Sequence, residues 1–158
     1  MKGRDSQPEA PPPLLATNMH VPQLHGQFMT RPALLDKLER ALAFPLTLIS
    51  APAGFGKTTL LVQWIRSGER ENIQDRVAWV SLESESDLRR FWRYILAALE
   101  AVQPGMGESG LALLDTPQAP IHTIPTTVIN AVSASADDFF LVLDDYHLVD
   151  DPAIHAAF

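Results

Sequence analysis

The stretch that most restricts this chain is Ala51-Pro-Ala-Gly-Phe-Gly-Lys-Thr58. Before it lies a short apolar run, Leu46 to Ser50. After it, Leu61, Trp64 and Ile65 recur at helical spacing. A strand, a small-residue loop ending in Gly-Lys-Thr, and a helix are the setting of the general phosphate-loop pattern G-x-x-x-x-G-K-[ST]. The first glycine of that pattern is Ala51 here, a change that costs little where the residue keeps a negative φ.

Each residue type has a physical reason. A loop winding around phosphates aims several backbone N–H groups inward, and Gly54 and Gly56 carry no side chain to obstruct them. The helix that follows offers free N–H groups and the positive end of its dipole. Lys57 neutralises the β- and γ-phosphates, and the Thr58 hydroxyl joins a Mg²⁺ shell otherwise filled by water and phosphate oxygens. The nucleotide-contacting set is therefore Ala51, Pro52, Ala53, Gly54, Phe55, Gly56, Lys57, Thr58 and Thr59. The bland alternative is a Gly-rich turn with a solvated lysine, and the flanking strand and helix weigh against it.

A second candidate follows the apolar run Phe139–Leu143. Asp144 and Asp145 come at its C-terminal end, where open parallel sheets bind ligands. Asp144 is the expected Mg²⁺ holder, directly or through water, and Asp145 the general base that polarises an attacking water. Taken alone they would read as solvated turn acids. His147 reads as a partly buried structural histidine, with a γ-phosphate contact as the alternative. Arg31 reads as a surface arginine, with the base side of a nucleotide as the alternative. The remaining histidines show no metal spacing, and Trp64, Trp79, Phe91 and Trp92 read as core.

The rest of the chain alternates strands and helices. Helices are expected from a Thr30 cap to Leu42, over 58–67 with Gly68 as its C-cap, over 88–102 and over 124–136. Strands are expected at 46–50, 77–82 and 139–143. Residues 110–120 read as loop, with a short helix around Leu111, Leu113 and Leu114 as the alternative. Asp151 and Pro152 look like the cap and first residue of a further helix. Alternation of this kind predicts an α/β fold with a parallel sheet and flanking helices. There is no internal repeat.

Composition narrows the partners. Twelve basic residues stand against 19 acidic, a net charge of −7 that argues against a nucleic-acid surface in this segment. Cysteine is absent, which removes disulfides and thiolate metal sites and fits a reducing, cytoplasmic setting. No run approaches the ~20 apolar residues of a membrane span. Residues 1–13 are polar and proline-rich and read as a disordered leader.

With "LLATNMHVP", "RPALLDKLERAL", "PLTLISAPAGFGKTTLLVQWI", "VAWVSLE" and "FFLVLDDYHLVDDPAIHAAF" together, the chain from about residue 14 onward resembles a known family. It is similar to the ATPase region of MalT-like regulators, the large ATP-binding LuxR-type transcription factors. These form a branch of the signal-transduction ATPases with numerous domains (STAND). An Ala at position 51 is ordinary in that branch, and "SDLRRFW" departs from its usual Asn/Asp-Pro-x-x-Phe-Trp run. The resemblance implies a P-loop NTPase domain over 14–158, truncated, with ATP rather than GTP as ligand. It also implies a DNA-binding domain outside this segment, and possible self-association in the ATP-bound form. It further implies a sensor strand between 46–50 and 139–143 that the chain does not contain. Its absence is expected to disturb the Mg²⁺ geometry and leave the segment alone inactive. A slow regulatory ATPase switch is the leading reading. A P-loop kinase and a non-hydrolysing nucleotide-binding scaffold are the alternatives.

Overall fold

The computed structural model describes residues 13–26, 28–67, 72–84, 87–116 and 118–156. Within them the order is α1 (Pro32–Ala41), α2 (Lys57–Arg66), β1 (Val77–Ser81), α3 (Leu88–Val102), α4 (Glu108–Asp115), α5 (Ile124–Ala134), β2 (Phe140–Asp144) and α6 (Pro152–His155). β1 and β2 pair in parallel, with Val77 opposite Phe140 and Ser81 opposite Asp144. The crossover between them carries α3, α4 and α5. The molecule is thus a mixed helix and strand protein built on a parallel pair, in agreement with the α/β expectation.

Side chains alternate across a strand, so each face of the pair feeds a different core. Val77 and Trp79 of β1, with Phe140 and Val142 of β2, pack with Leu38 of α1 and Val62, Trp64 and Ile65 of α2. Ala78 and Val80, with Leu141 and Leu143, pack on the opposite side with Phe91, Ile95 and Leu99 of α3. Helices on both faces explain why "VAWV" is apolar throughout rather than alternating, and all four of its residues are buried. Trp64 meets Phe140 edge to face at 5.3 Å, and its indole N–H donates to Glu39 at 2.8 Å. The four aromatic residues expected in the core are all there.

α3 starts at Leu88, where the sequence places it. Asp87 caps it, accepting from the Arg90 N–H at 2.7 Å. Asp151 caps α6 in the same way, with Pro152 as first residue. α1 begins at Pro32 with Arg31 at the cap position, one residue later than the expected Thr30 cap. Residues 108–115 form α4 where loop was expected; Leu114 is buried in the α3 core, and that burial recruits a helix from a weak pattern. The Gly68 cap, Glu85, Phe158 and residues 1–12 of the leader lie outside the described residues. Among those described, no helix is long and apolar enough to cross a membrane.

The largest departure is at 46–50. This run is not a buried strand: the sheet contains β1 and β2 alone, and Leu46 and Leu48 are 83% and 85% exposed. Only Ile49 packs against the α1–α2 core. A strand exists only where a neighbour takes its N–H and C=O groups, and β1 occupies the one edge of β2 that is paired.

The turn between α3 and α4 depends on close approach. The Glu100 carboxylate accepts from the backbone N–H groups of Gly105 and Gly107, both at 2.9 Å, and these donors hold its pKa below the ordinary carboxylate value. A Cβ on Gly107 would stand 2.1 Å from the Leu96 carbonyl oxygen. Gly107→Ala is therefore expected to destabilise the fold by about 3 kcal/mol, the upper end for overpacking. Ser109→Ala on exposed α4 surface should stay within about 0.5 kcal/mol. Urea denaturation of both variants checks the difference.

Candidate functional site

Gly56 has φ +81°, a left-handed conformation that side chains rarely adopt, and it sits immediately before α2. Gly54 is also left-handed, at φ +79°. The two turns swing the chain around and start the helix at Lys57, so the first N–H groups of α2 open into the loop's concavity. The Lys57 ammonium donates to the carbonyls of Ala51 at 3.0 Å and Pro52 at 3.4 Å. The loop thereby holds its own lysine across its mouth.

Phe140 and Val142 face α2, so period-two alternation turns Asp144 to the same side. There the Thr58 hydroxyl, 86 residues away in sequence, donates to Asp144 at 2.8 Å from Oδ2 and 3.1 Å from Oδ1. This contact forms although 46–50 lies outside the sheet. Asp144 is 6% exposed, the single buried charged side chain among the described residues. Burial is the largest influence on it and raises its pKa. The Thr58 hydrogen bond opposes this, the Asp145 charge adds to it, and the Asp145 N–H and Lys57 act downward.

Asp145 follows in a left-handed conformation, φ +56°, unusual for a residue with a side chain. Its N–H donates back to Asp144 Oδ1 at 3.0 Å, and a single 3₁₀ turn, Tyr146–Leu148, follows. This sharp reversal alternates the side chains. Tyr146 pairs with His155 Nδ1 at 3.0 Å, whereas Asp145 and His147 line a cavity of ≈ 320 Å³ together with Gly54, Gly56, Lys57 and Thr58. The His147 side chain is 56% exposed, with Nδ1 4.0 Å from Asp145 Oδ1, so it is not the partly buried structural histidine that its place in the sequence suggested.

A second cavity of ≈ 190 Å³ adjoins the first and shares Gly54, Gly56 and Thr59 with it. Its outer wall is Phe28, Met29, Arg31 and Phe55, and the Arg31 guanidinium donates to the Phe55 carbonyl at 3.3 Å. Arg31 is exposed at the start of α1, as expected, and its side chain also lines this cavity. Phe28 and Met29 carry no motif; only the fold brings them here.

The structure places Ala53, Gly54, Gly56, Lys57, Thr58, Thr59 and Asp145 on one cavity, with Asp144 beneath Thr58. Ala51 and Pro52 contribute carbonyls, and Phe55 turns to the neighbouring cavity. No group of three or more His, Cys, Asp or Glu side chains arranged to hold a metal occurs among the described residues. The oxygen set at the loop is Thr58 and Asp144, which suits Mg²⁺ bound jointly with phosphate rather than in a protein cage.

No family model matches the chain. Relatives do. It is 37% identical over 131 residues to the HTH-type transcriptional regulator MalT of Yersinia pestis (strain Pestoides F), covering 82% of this chain. It is 32% identical over 137 residues to the protein of that name in Vibrio cholerae, covering 85%. This segment is MalT-like. It spans 14% of the length of these curated relatives.

Within the MalT-like segment, Asp144 sets a pH dependence. Its folded pKa is raised, so its contribution to stability is full below the unfolded value, near 3.8, and is lost as pH rises through the folded value. Asp144→Asn, which keeps one acceptor for Thr58, should raise the melting temperature at pH 7. The gain should vanish below pH 3.8. Melting curves across that range decide it.

Proposed function

We propose that this chain is the ATP-binding, slowly hydrolysing switch segment of a MalT-like transcriptional regulator, and that 14–158 belongs to a P-loop NTPase domain. The observation that carries this is the meeting of the Thr58 hydroxyl and the buried Asp144 carboxylate at the mouth of a loop built on left-handed Gly54 and Gly56. A Gly-Lys-Thr turn with a solvated lysine has no use for a buried acid beside its threonine.

The chain's own residues supply the chemistry. Loop N–H groups and the α2 N-terminus face the phosphates. Lys57 exchanges the Ala51 and Pro52 carbonyls for phosphate oxygens, a better partner for an ammonium. Thr58 and Asp144 would hold Mg²⁺, which would supply charge neutralisation for the phosphates. Burial removes water from the Asp144 carboxylate, and a divalent cation would supply the counter-charge it lacks. Asp145, half exposed on the cavity wall, accepts the proton of the attacking water. ATP and ADP then bias two assembly states through their differential binding, with self-association in the ATP state.

The relatives' printed name points to a helix-turn-helix, and in this reading DNA is bound outside the present segment, whose net charge is −7. A cytoplasmic location goes with that role. Preference for adenine rests on the family relationship.

Lys57→Ala in the full-length gene product should weaken ATP binding at least tenfold, about 1.4 kcal/mol, by calorimetry. An unchanged titration overturns the phosphate-loop reading. Asp145→Asn should keep ATP·Mg²⁺ binding and lose hydrolysis by about 100-fold or more, the scale of general-base contributions. Hydrolysis at the unsubstituted rate removes Asp145 from the mechanism.

A further inference from the structure

The two adjoining cavities give a ligand on this loop a direction. One flank carries the large apolar side chains Phe28, Met29 and Phe55, beside Arg31 and Gln63, and is open to solvent. The other carries Lys57, Thr58, Asp145 and His147. A nucleoside polyphosphate has one planar, weakly polar end and one highly charged end. It therefore lies with its base toward Phe55 and its terminal phosphate toward the end of β2. His147 stands at that charged end on a turn created by the left-handed Asp145. Its neighbour Tyr146 is engaged with His155, while the His147 ring is open to the cavity, 4.0 Å from the Asp145 carboxylate.

Resting on the ATP-switch reading above, we propose that His147 donates a hydrogen bond to the terminal phosphate of the bound nucleotide and so sets the preference of the site for ATP over ADP. Lys57 spans the β- and γ-phosphates and Thr58 serves the cation, so both keep a contact when the nucleotide is a diphosphate. A donor on the turn beyond Asp145 is reached only by the longer chain. A switch needs such a group, because a ligand moves an equilibrium only through contacts that differ between states. Asp145 is acidic and repels phosphate, so among the residues that line this cavity after β2, His147 is the one that can favour it.

The test is calorimetric titration of the full-length gene product with ADP and with the β,γ-imido analogue of ATP, each with Mg²⁺. The proteins are the unsubstituted chain, His147→Ala, His147→Gln and Lys57→Ala. His147→Ala should weaken the triphosphate analogue about tenfold, the contribution of one hydrogen bond to a charged group. ADP should change less than about twofold, and His147→Gln, which keeps an N–H donor, should recover most of the loss. Equal loss for both ligands, or an unchanged ratio, overturns the proposal. Lys57→Ala separates the two readings. If it weakens both ligands while His147→Ala leaves their ratio intact, only the His147 assignment falls. If the unsubstituted chain binds neither ligand, the switch reading falls with it.

Discussion

Everything at the candidate site hangs on five residue pairs, Val77–Phe140 to Ser81–Asp144, in one parallel ladder. The ladder is sandwiched between two helical layers, so both faces of each strand must be apolar and neither strand can turn over. Phe140 and Val142 are held against α2, and the strand's two-residue period then aims Asp144 at the start of that helix. A one-residue displacement of β2 would send the carboxylate to the α3 face, away from Thr58. The geometry of the site is therefore a by-product of core packing several residues away.

Two adjacent acids end up with different chemistry because their environments differ. Asp144 is buried, bonded to a hydroxyl and a backbone N–H, and its pKa is raised. Asp145 reaches the cavity through a left-handed residue and keeps about half of its side chain in contact with solvent. The first is placed to serve a cation and the second to handle a proton. The arrangement costs stability at both positions: a charge taken out of water in one case, and a backbone conformation disfavoured for Asp in the other. Such local penalties concentrate where a protein binds something.

The loop shows the same economy. Lys57 donates to two carbonyls of its own loop, which ties the ends of the loop together. The neighbouring run 46–50 is held by Ile49, which packs on the α1–α2 core, and by the Thr47 hydroxyl, which donates to the Ala41 carbonyl at 3.3 Å, while Leu46 and Leu48 project into solvent.

The loop 51–58, the long α3 stripe, the Asp151 cap and the acids after β2 were all legible in the sequence. Each is a local pattern whose physics acts within a few residues: left-handed glycines, helical periodicity, side-chain capping. That Thr58 and Asp144 would serve one site was an expectation; their actual contact across 86 residues depends on the ladder that carries it. The failures have the same root. "LTLIS" has every property of a buried strand except a neighbour, and no residue within it could disclose that. α4 carries too weak a pattern to declare itself until Leu114 is buried against α3. His147 looked structural because the sequence does not show that Asp145 adopts a left-handed turn, and the turn alone exposes the ring to the cavity. Phe28 and Met29 reach the loop from an irregular segment with no motif. Local preferences determined which elements form; only long-range packing decided which side chains meet, because contacts across the fold are selected by burial and not by spacing along the chain.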